Sequence, residues 1–272
     1  MSNTFRGENG LELYYQSWYP QALTQTVIVI IPGHGGHIGV LTRMVEYFVE
    51  RNYIVYSFDL RGNGQSPGQR GHINSWTEFR ADLDAFLNLI KSKESNQYLF
   101  IIGQSMGGTI ALDYILREST QLNGLILLSP ALEVGVSSWK LLIGKILSRI
   151  LPNFALETGL GFSAASRDLE VVAACEKDSL RHSQGTARLA AELLKTIDWI
   201  KAHGTKLKVP VLILHGGADI VTLPQSSRDF FESLTLADKE RREYPDSYHE
   251  LHNDINYLEV LGDMEDWIQR HL

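Results

Sequence analysis

Two serines in this chain sit in the pattern G-x-S-x-G: Ser66 in "GQSPG" and Ser105 in "GQSMG". That pattern can carry a serine on a sharp strand-to-helix turn, with its hydroxyl free to attack an acyl carbonyl. A serine hydroxyl attacks poorly until a histidine takes its proton and a carboxylate holds that imidazole in the right tautomer. Asp219, in "GGADIVT", and His249, in "SYHELHND", can supply the two missing groups. The chemistry open to such a set is acyl transfer through a covalent intermediate on serine.

One missing proton separates the two serines. The residue after the nucleophile donates its backbone N–H to the oxyanion of the tetrahedral intermediate. Met106 has that N–H, whereas Pro67 has none. Losing one such donor costs roughly 100- to 1,000-fold in rate. Context agrees, because Ser105 follows the buried run "YLFIIG" and precedes the helical pattern "MGGTIALDYILR". Ser66 is separated from its strand by "LRGNG" and followed by "PGQRGHIN", which reads as loop. Ser105 is therefore expected to be the nucleophile and Ser66 a structural turn residue.

Among serine hydrolases built on strand-end loops, the acid can follow the serine with the histidine last. Asp219 leaves the end of "VPVLILHG" and is preferred to Asp246, which lies close to the histidine on the wrong side of that strand-loop logic. His249 is preferred to His252, which is expected to open the C-terminal helix. His72, His182, His203 and His271 read as surface or capping residues. His34 and His37 lie close together, but no further ligand has zinc-like spacing, so neither a metal nor a cofactor is expected. The single cysteine, Cys175, has no motif around it and excludes an internal disulfide.

Elements must bring these residues together. Nearly continuous apolar runs at 26–32, 53–59, 98–103, 123–130 and 209–216 read as parallel strands covered on both faces. Helical patterns at 41–51, 75–92, 106–118 and 224–235 alternate with them, which implies a doubly wound parallel sheet. "LELYYQSWYP" alternates polar and apolar residues, as a half-exposed edge strand would. From Ala131 to Thr205 only helical patterns and loops are read. This insertion is expected to cap the C-terminal strand ends, where such sheets bind ligands. The division is thus 1–130 for the first part of the core, 131–205 for the cap and 206–272 for the second part.

Composition narrows the partners. With 25 basic and 32 acidic residues the formal charge is −7, which argues against nucleic acid. The N-terminus is polar, and no apolar stretch approaches the roughly 20 residues that span a bilayer. A cytoplasmic protein, at most peripheral to a membrane, is expected.

Taken together, "PGHGGHIG", "FDLRGNGQSPGQRG", "GQSMGG", "VPVLILHGGADIVT" and "YPDSYHELHND" resemble the α/β-hydrolase superfamily across nearly the whole chain. Within it they resemble the monoacylglycerol lipase and lysophospholipase branch. The resemblance implies the α/β-hydrolase fold, with a helical cap inserted after the sixth strand of a mostly parallel sheet. It implies hydrolysis of a small-molecule ester, a lipid with one acyl chain. Its H-G-x-G loop supplies a second oxyanion donor. Here the loop reads Pro32-Gly33-His34-Gly35, and matching the glycines puts the donor at the His34 N–H; reading His34-Gly35 as the dipeptide would move it to Gly36. Gln104 stands where a histidine commonly precedes the nucleophile, and Gly36 and Val40 stand where Glu and Arg often do. Gln104 can still bond a substrate hydroxyl.

"SSWKLLIGKILSRILPNF" carries apolar residues on one helical face, among them Leu142 and Ile146. That face could dip into lipid or line an acyl tunnel, with Leu142 and Ile146 touching substrate, or pack on the sheet domain. Two other classes stay open: another serine hydrolase of the fold, such as an aminopeptidase or thioesterase, and a non-catalytic binding protein. A peptidase would need carboxylates to hold a substrate amine, and Glu157, Asp168, Glu170, Glu176 and Asp178 could be recruited.

Overall fold

The computed structural model describes residues 3–94, 98–118, 121–133, 148, 150–157 and 161–272. Its strands are β1 (Thr4–Arg6), β2 (Glu12–Trp18), β3 (Thr26–Ile31), β4 (Ile54–Phe58), β5 (Tyr98–Gln104), β6 (Gly124–Leu128), β7 (Ala155–Glu157), β8 (Gln184–Thr186), β9 (Val211–Gly216) and β10 (Lys239–Tyr244). Among the described residues eight of them form one sheet in the order β1-β2-β4-β3-β5-β6-β9-β10. β1 and β2, and β2 and β4, pair antiparallel; every other pair is parallel.

The apolar runs become central strands because helices cover both faces of the sheet. Alternate residues of β3 divide between two cores: Val27, Val29 and Ile31 join one, Ile28 and Ile30 the other. The helices are α1 (Thr42–Glu50), α2 (Thr77–Lys93), α3 (Met106–Arg117), α4 (Leu169–Lys177), α5 (Ala187–His203), α6 (Pro224–Ser233) and α7 (Tyr257–Gln269). Helices α2, α3, α5 and α6 send Phe86, Ile110, Ile200 and Phe230 to the first core. Helices α1 and α7 send Phe48 and Trp267 to the second. Each aliphatic or aromatic side chain buried this fully contributes roughly 1.5–3 kcal/mol. That is the doubly wound α/β-hydrolase architecture expected above.

Register aligns one rim. Ile31 lies beside Gly103, Gln104 beside Leu128, Leu128 beside Leu214 and Gly216 beside Tyr244. The loops that follow β3, β5, β6, β9 and β10 therefore leave the sheet together.

Three expectations need correction. β2 is not the edge strand, because the three-residue β1 pairs outside its first half. That strand is too short to announce itself by periodicity. The stretch 131–205 is not free of strands, since β7 and β8 pair as a two-stranded antiparallel unit. Neither carries the apolar run used to find the others. Finally, His252 does not open the last helix. It lies buried in a 3₁₀ turn, Leu251–Asn253, and α7 begins at Tyr257. The expected contacts of Leu142 and Ile146 lie outside the described residues. Of the apolar stripe, Ile150 and Leu151 are described, and both are exposed.

Candidate active site

Ser105 stands between the end of β5 and the start of α3 with φ 52° and ψ −119°. Few non-glycine residues adopt a positive φ, and they persist only where the surroundings over-determine them. Here the surroundings do so. The Ser105 N–H donates to the Leu128 carbonyl at 2.9 Å, and its own carbonyl accepts from Gly108 at 3.0 Å and Ala131 at 3.1 Å. Helix α3 crosses β3 so closely that a Cβ on Gly107 would lie 2.3 Å from the Ile31 carbonyl oxygen. Met106 is the first residue of α3, so its N–H has no acceptor within the helix. The positive end of the helix dipole points the same way, toward developing negative charge.

The loop after β9 presents Asp219, buried at 3 % exposure. Its Oδ2 lies 2.7 Å from His249 Nδ1 and 2.9 Å from the Thr222 hydroxyl. Its Oδ1 accepts the N–H groups of Val221 at 2.8 Å and Thr222 at 3.1 Å. Burial alone would raise this carboxyl's pKa, but donors from His215 and His249 outweigh it and hold the group well below the usual range. An ionised Asp219 places the His249 proton on Nδ1. Nε2 is then the ring nitrogen left for a serine hydroxyl. The described residues form no hydrogen bond to the Ser105 hydroxyl itself. In enzymes without substrate such contacts are often long and tighten only in the complex.

The loop after β3 turns sharply. Gly36 donates to the Gly33 carbonyl at 3.2 Å, and Gly35 donates to Asn63 Oδ1 at 3.0 Å. Of the N–H groups of His34, Gly35 and Gly36, that of His34 alone has no acceptor among the described residues. The Gln104 side chain is buried against this loop: a Cβ on Gly33 would lie 2.2 Å from its Oε1.

Other expected residues fall away from the site or into supporting positions. Ser66 lies buried in a turn, its hydroxyl bonded to backbone. Asp246 is exposed. His37 Nδ1 accepts the Gly39 N–H and its Nε2 lies 2.7 Å from Asp178 Oδ2. No group of three or more potential metal ligands is found among the described residues. Buried Cys175 lies against Arg181, and burial pushes its thiol pKa up, which suits an inert cysteine.

Sequence reasoning missed several members of this assembly. His215, buried in β9, has Nε2 2.8 Å from the Thr222 carbonyl oxygen and 3.3 Å from Asp219 Oδ2. Its position four residues before Asp219, at the end of the strand, was the available signal. Asn63 and Asp59, in the loop after β4, grip the loop after β3, with Asp59 Oδ1 accepting the Ile38 N–H at 2.8 Å. His182 is not a surface or capping residue. Its ring packs edge-on against His34 with centroids 5.3 Å apart.

The chain has relatives among known proteins. The family profile described as serine aminopeptidase, S33, matches residues 23–256. The chain is 29% identical to a monoacylglycerol lipase of Mycolicibacterium smegmatis, covering 99% of this chain and 97% of that protein. It is 32% identical to phospholipase YtpA of Bacillus subtilis, covering 86% of this chain and 92% of that one. The crystal structure of Paleococcus ferrophilus monoacylglycerol lipase superposes with a TM-score of 0.88 at 29% identity, covering 96% of this chain and all of that one.

Proposed function

Since the chain belongs to the serine aminopeptidase S33 family of α/β-hydrolases, we propose that it is a serine hydrolase of lipid esters carrying a single acyl chain, such as a monoacylglycerol or a lysophospholipid. The observation that carries the mechanism is the buried Asp219–His249 pair on the same rim as Ser105.

In this reading Ser105 Oγ attacks the ester carbonyl carbon as His249 Nε2 takes its proton. The carbonyl oxygen becomes an oxyanion between the N–H groups of Met106 and His34. Gly36 is less suited to that second place because its N–H already closes the Gly33 turn. Collapse of the intermediate expels the alcohol, which receives the proton from His249, and leaves an acyl-serine. Water, deprotonated by His249, then releases the fatty acid and restores Ser105. Asp219 stabilises the imidazolium formed in each half. Gln104 is assigned to the bound head group, and the segment between β6 and β9 is assigned as the cap. Peripheral contact with a membrane belongs to this reading; no described helix is long and apolar enough to cross one.

The family description makes peptide hydrolysis the competing reading. A substrate amine would need a free carboxylate near the site. Asp178 is engaged by His37, Asp168 by Arg43 and Glu157 by Ser183, which leaves the exposed Glu170 and Glu176 for that role. The lipase and phospholipase among the relatives favour the ester. The test is a hydrolysis panel of monoacylglycerols, lysophospholipids, short p-nitrophenyl esters and an aminoacyl amide, run beside fluorophosphonate labelling. Ester turnover and labelling that vanish in Ser105→Ala are expected. Preference for the amide would overturn the substrate class, and labelling that survives Ser105→Ala but not Ser66→Ala would overturn the nucleophile.

A further inference from the structure

We propose that His182, carried between β6 and β9, is a positioning residue for the oxyanion loop, acting through Asn63 to hold the His34 N–H in place. The proposal rests on the ester-hydrolase reading above.

Gly35 is the pivot of that loop, at φ +69°. It lacks the side chain that would hinder rotation of its peptide units, so the loop needs restraint from outside. Two restraints reach it from distant parts of the chain. Its N–H donates to Asn63 Oδ1 at 3.0 Å, and its carbonyl accepts the His182 N–H at 3.2 Å. The same Asn63 Oδ1 lies 2.8 Å from His182 Nε2. Asn63 is itself fixed: it is buried, its Nδ2 donates to the Arg61 carbonyl at 3.1 Å, and its N–H donates to that of Leu60 at 2.9 Å.

The ring of His182 has one tautomer that suits these contacts. Nδ1 faces the Gln184 N–H at 3.2 Å and must accept, so the proton sits on Nε2 and is donated to Asn63. Burial first, then neighbouring His34 and Arg70, lower the His182 pKa to about 4, so the ring is neutral near pH 7. Backbone proximity completes the fit. A Cβ on Gly35 would lie 1.9 Å from the His182 carbonyl oxygen, so the two segments touch main chain to main chain. The oxyanion loop is therefore fully restrained only when the 178–186 stretch is seated on it. Binding of an acyl chain elsewhere does not need that restraint, but stabilising an oxyanion does.

The experiment is steady-state hydrolysis of p-nitrophenyl butyrate by the full chain, with binding of a simple alkyl boronic acid as the transition-state mimic. His182→Ala and Asn63→Ala are each expected to lower kcat by about 10-fold or more, short of the full loss of a donor, with KM changed less than about 2-fold. Boronate affinity should fall in parallel. The double variant should be no worse than about the poorer single one, because both act on the same contact. His182→Gln, whose amide can still donate to Asn63, should recover most of kcat. Thermal melting checks that each variant folds; if His182→Ala does not, His182→Phe fills the space without a donor and carries the same expectation. Unchanged kcat in a folded His182→Ala, a loss confined to KM, or losses that multiply in the double variant would each overturn the proposal. Ser105→Ala separates the two levels. Turnover surviving in it sinks the serine mechanism, whereas a dead Ser105→Ala beside a silent His182→Ala sinks the coupling alone.

Discussion

The Ser66 hydroxyl donates to the Asp59 carbonyl oxygen at 2.6 Å while accepting the Tyr14 N–H at 2.9 Å. The Asp59 carboxylate in turn accepts the N–H groups of Ile38 and Gln65. The serine that matches the nucleophile pattern without being suited to it thus braces the loop beside the site.

Ser66→Ala should therefore injure stability rather than chemistry. It strands a backbone donor and an acceptor that Ser66 now joins, at a cost of about 1–3 kcal/mol. Urea denaturation should show that loss, while fluorophosphonate still labels Ser105. Full stability in the variant would contradict the brace.

Ser105 occupies a backbone conformation that costs about 1–3 kcal/mol for a residue with a Cβ. Ser105→Gly removes the strain but adds roughly 0.4–1 kcal/mol of unfolded-state entropy. Both Ser105→Gly and Ser105→Ala should be inactive. The glycine variant should nonetheless melt at the higher temperature, which differential scanning calorimetry can check.

Glu250 sets a pH dependence of stability. Its Oε1 pairs with Arg181 and its Oε2 accepts from Asn253 Nδ2. Burial would raise its pKa, but Arg181 dominates and holds it at about 2, against an ordinary 4.5. A carboxyl depressed on folding stabilises the protein fully above its unfolded pKa, and that contribution is lost as pH falls through the folded value. Stability should decline between about pH 4.5 and pH 2 for this reason. Glu250→Gln should flatten that window and cost roughly 3–5 kcal/mol at neutral pH, because Arg181 is left buried without its partner charge. Denaturation curves across the pH range test both parts.

Two adjacent glycines should respond oppositely. Gly35→Ala would force a Cβ into the His182 carbonyl at a positive φ, and activity should drop about 100-fold, as expected when an oxyanion donor is displaced. At Gly36 the nearest atom to a new Cβ is 3.4 Å away and φ carries no penalty. Gly36→Ala should keep activity within about 3-fold, far less than loss of a donor would cost. Equal losses at the two positions would refute the turn geometry.

The sheet was legible because burial on both faces writes long apolar runs, and the ends of those runs mark the rim. Ser105 and Asp219 were expected on that rim because each comes shortly after the end of such a run. What joins the loops to one another was not legible. Asn63 and His182 meet across 119 positions, through turns with no periodicity, and neither belongs to a pattern of its own. His182 reads as a surface histidine until its neighbours are in view. β7 and β8 escaped notice because three-residue strands with one buried position between them leave no hydrophobic pattern to read.

Two core glycines lie directly under the main chain of the 178–186 stretch. Gly35 lies under the carbonyl of His182, and a Cβ on Gly71 would lie 2.1 Å from the carbonyl oxygen of Gln184, one bonded turn further on. Gly71 also accepts the Thr186 N–H at 2.9 Å. Side chains fasten the same seat: His182 meets Asn63, Arg181 pairs with Glu250, Asp168 with Arg43 and Asp178 with His37. A chimera that brings in another segment here should dock only if its backbone follows this path, the receiving core keeps glycine at both seats and these four pairings are retained. Substrate range could then be changed by transplantation, leaving Ser105, Asp219 and His249 untouched.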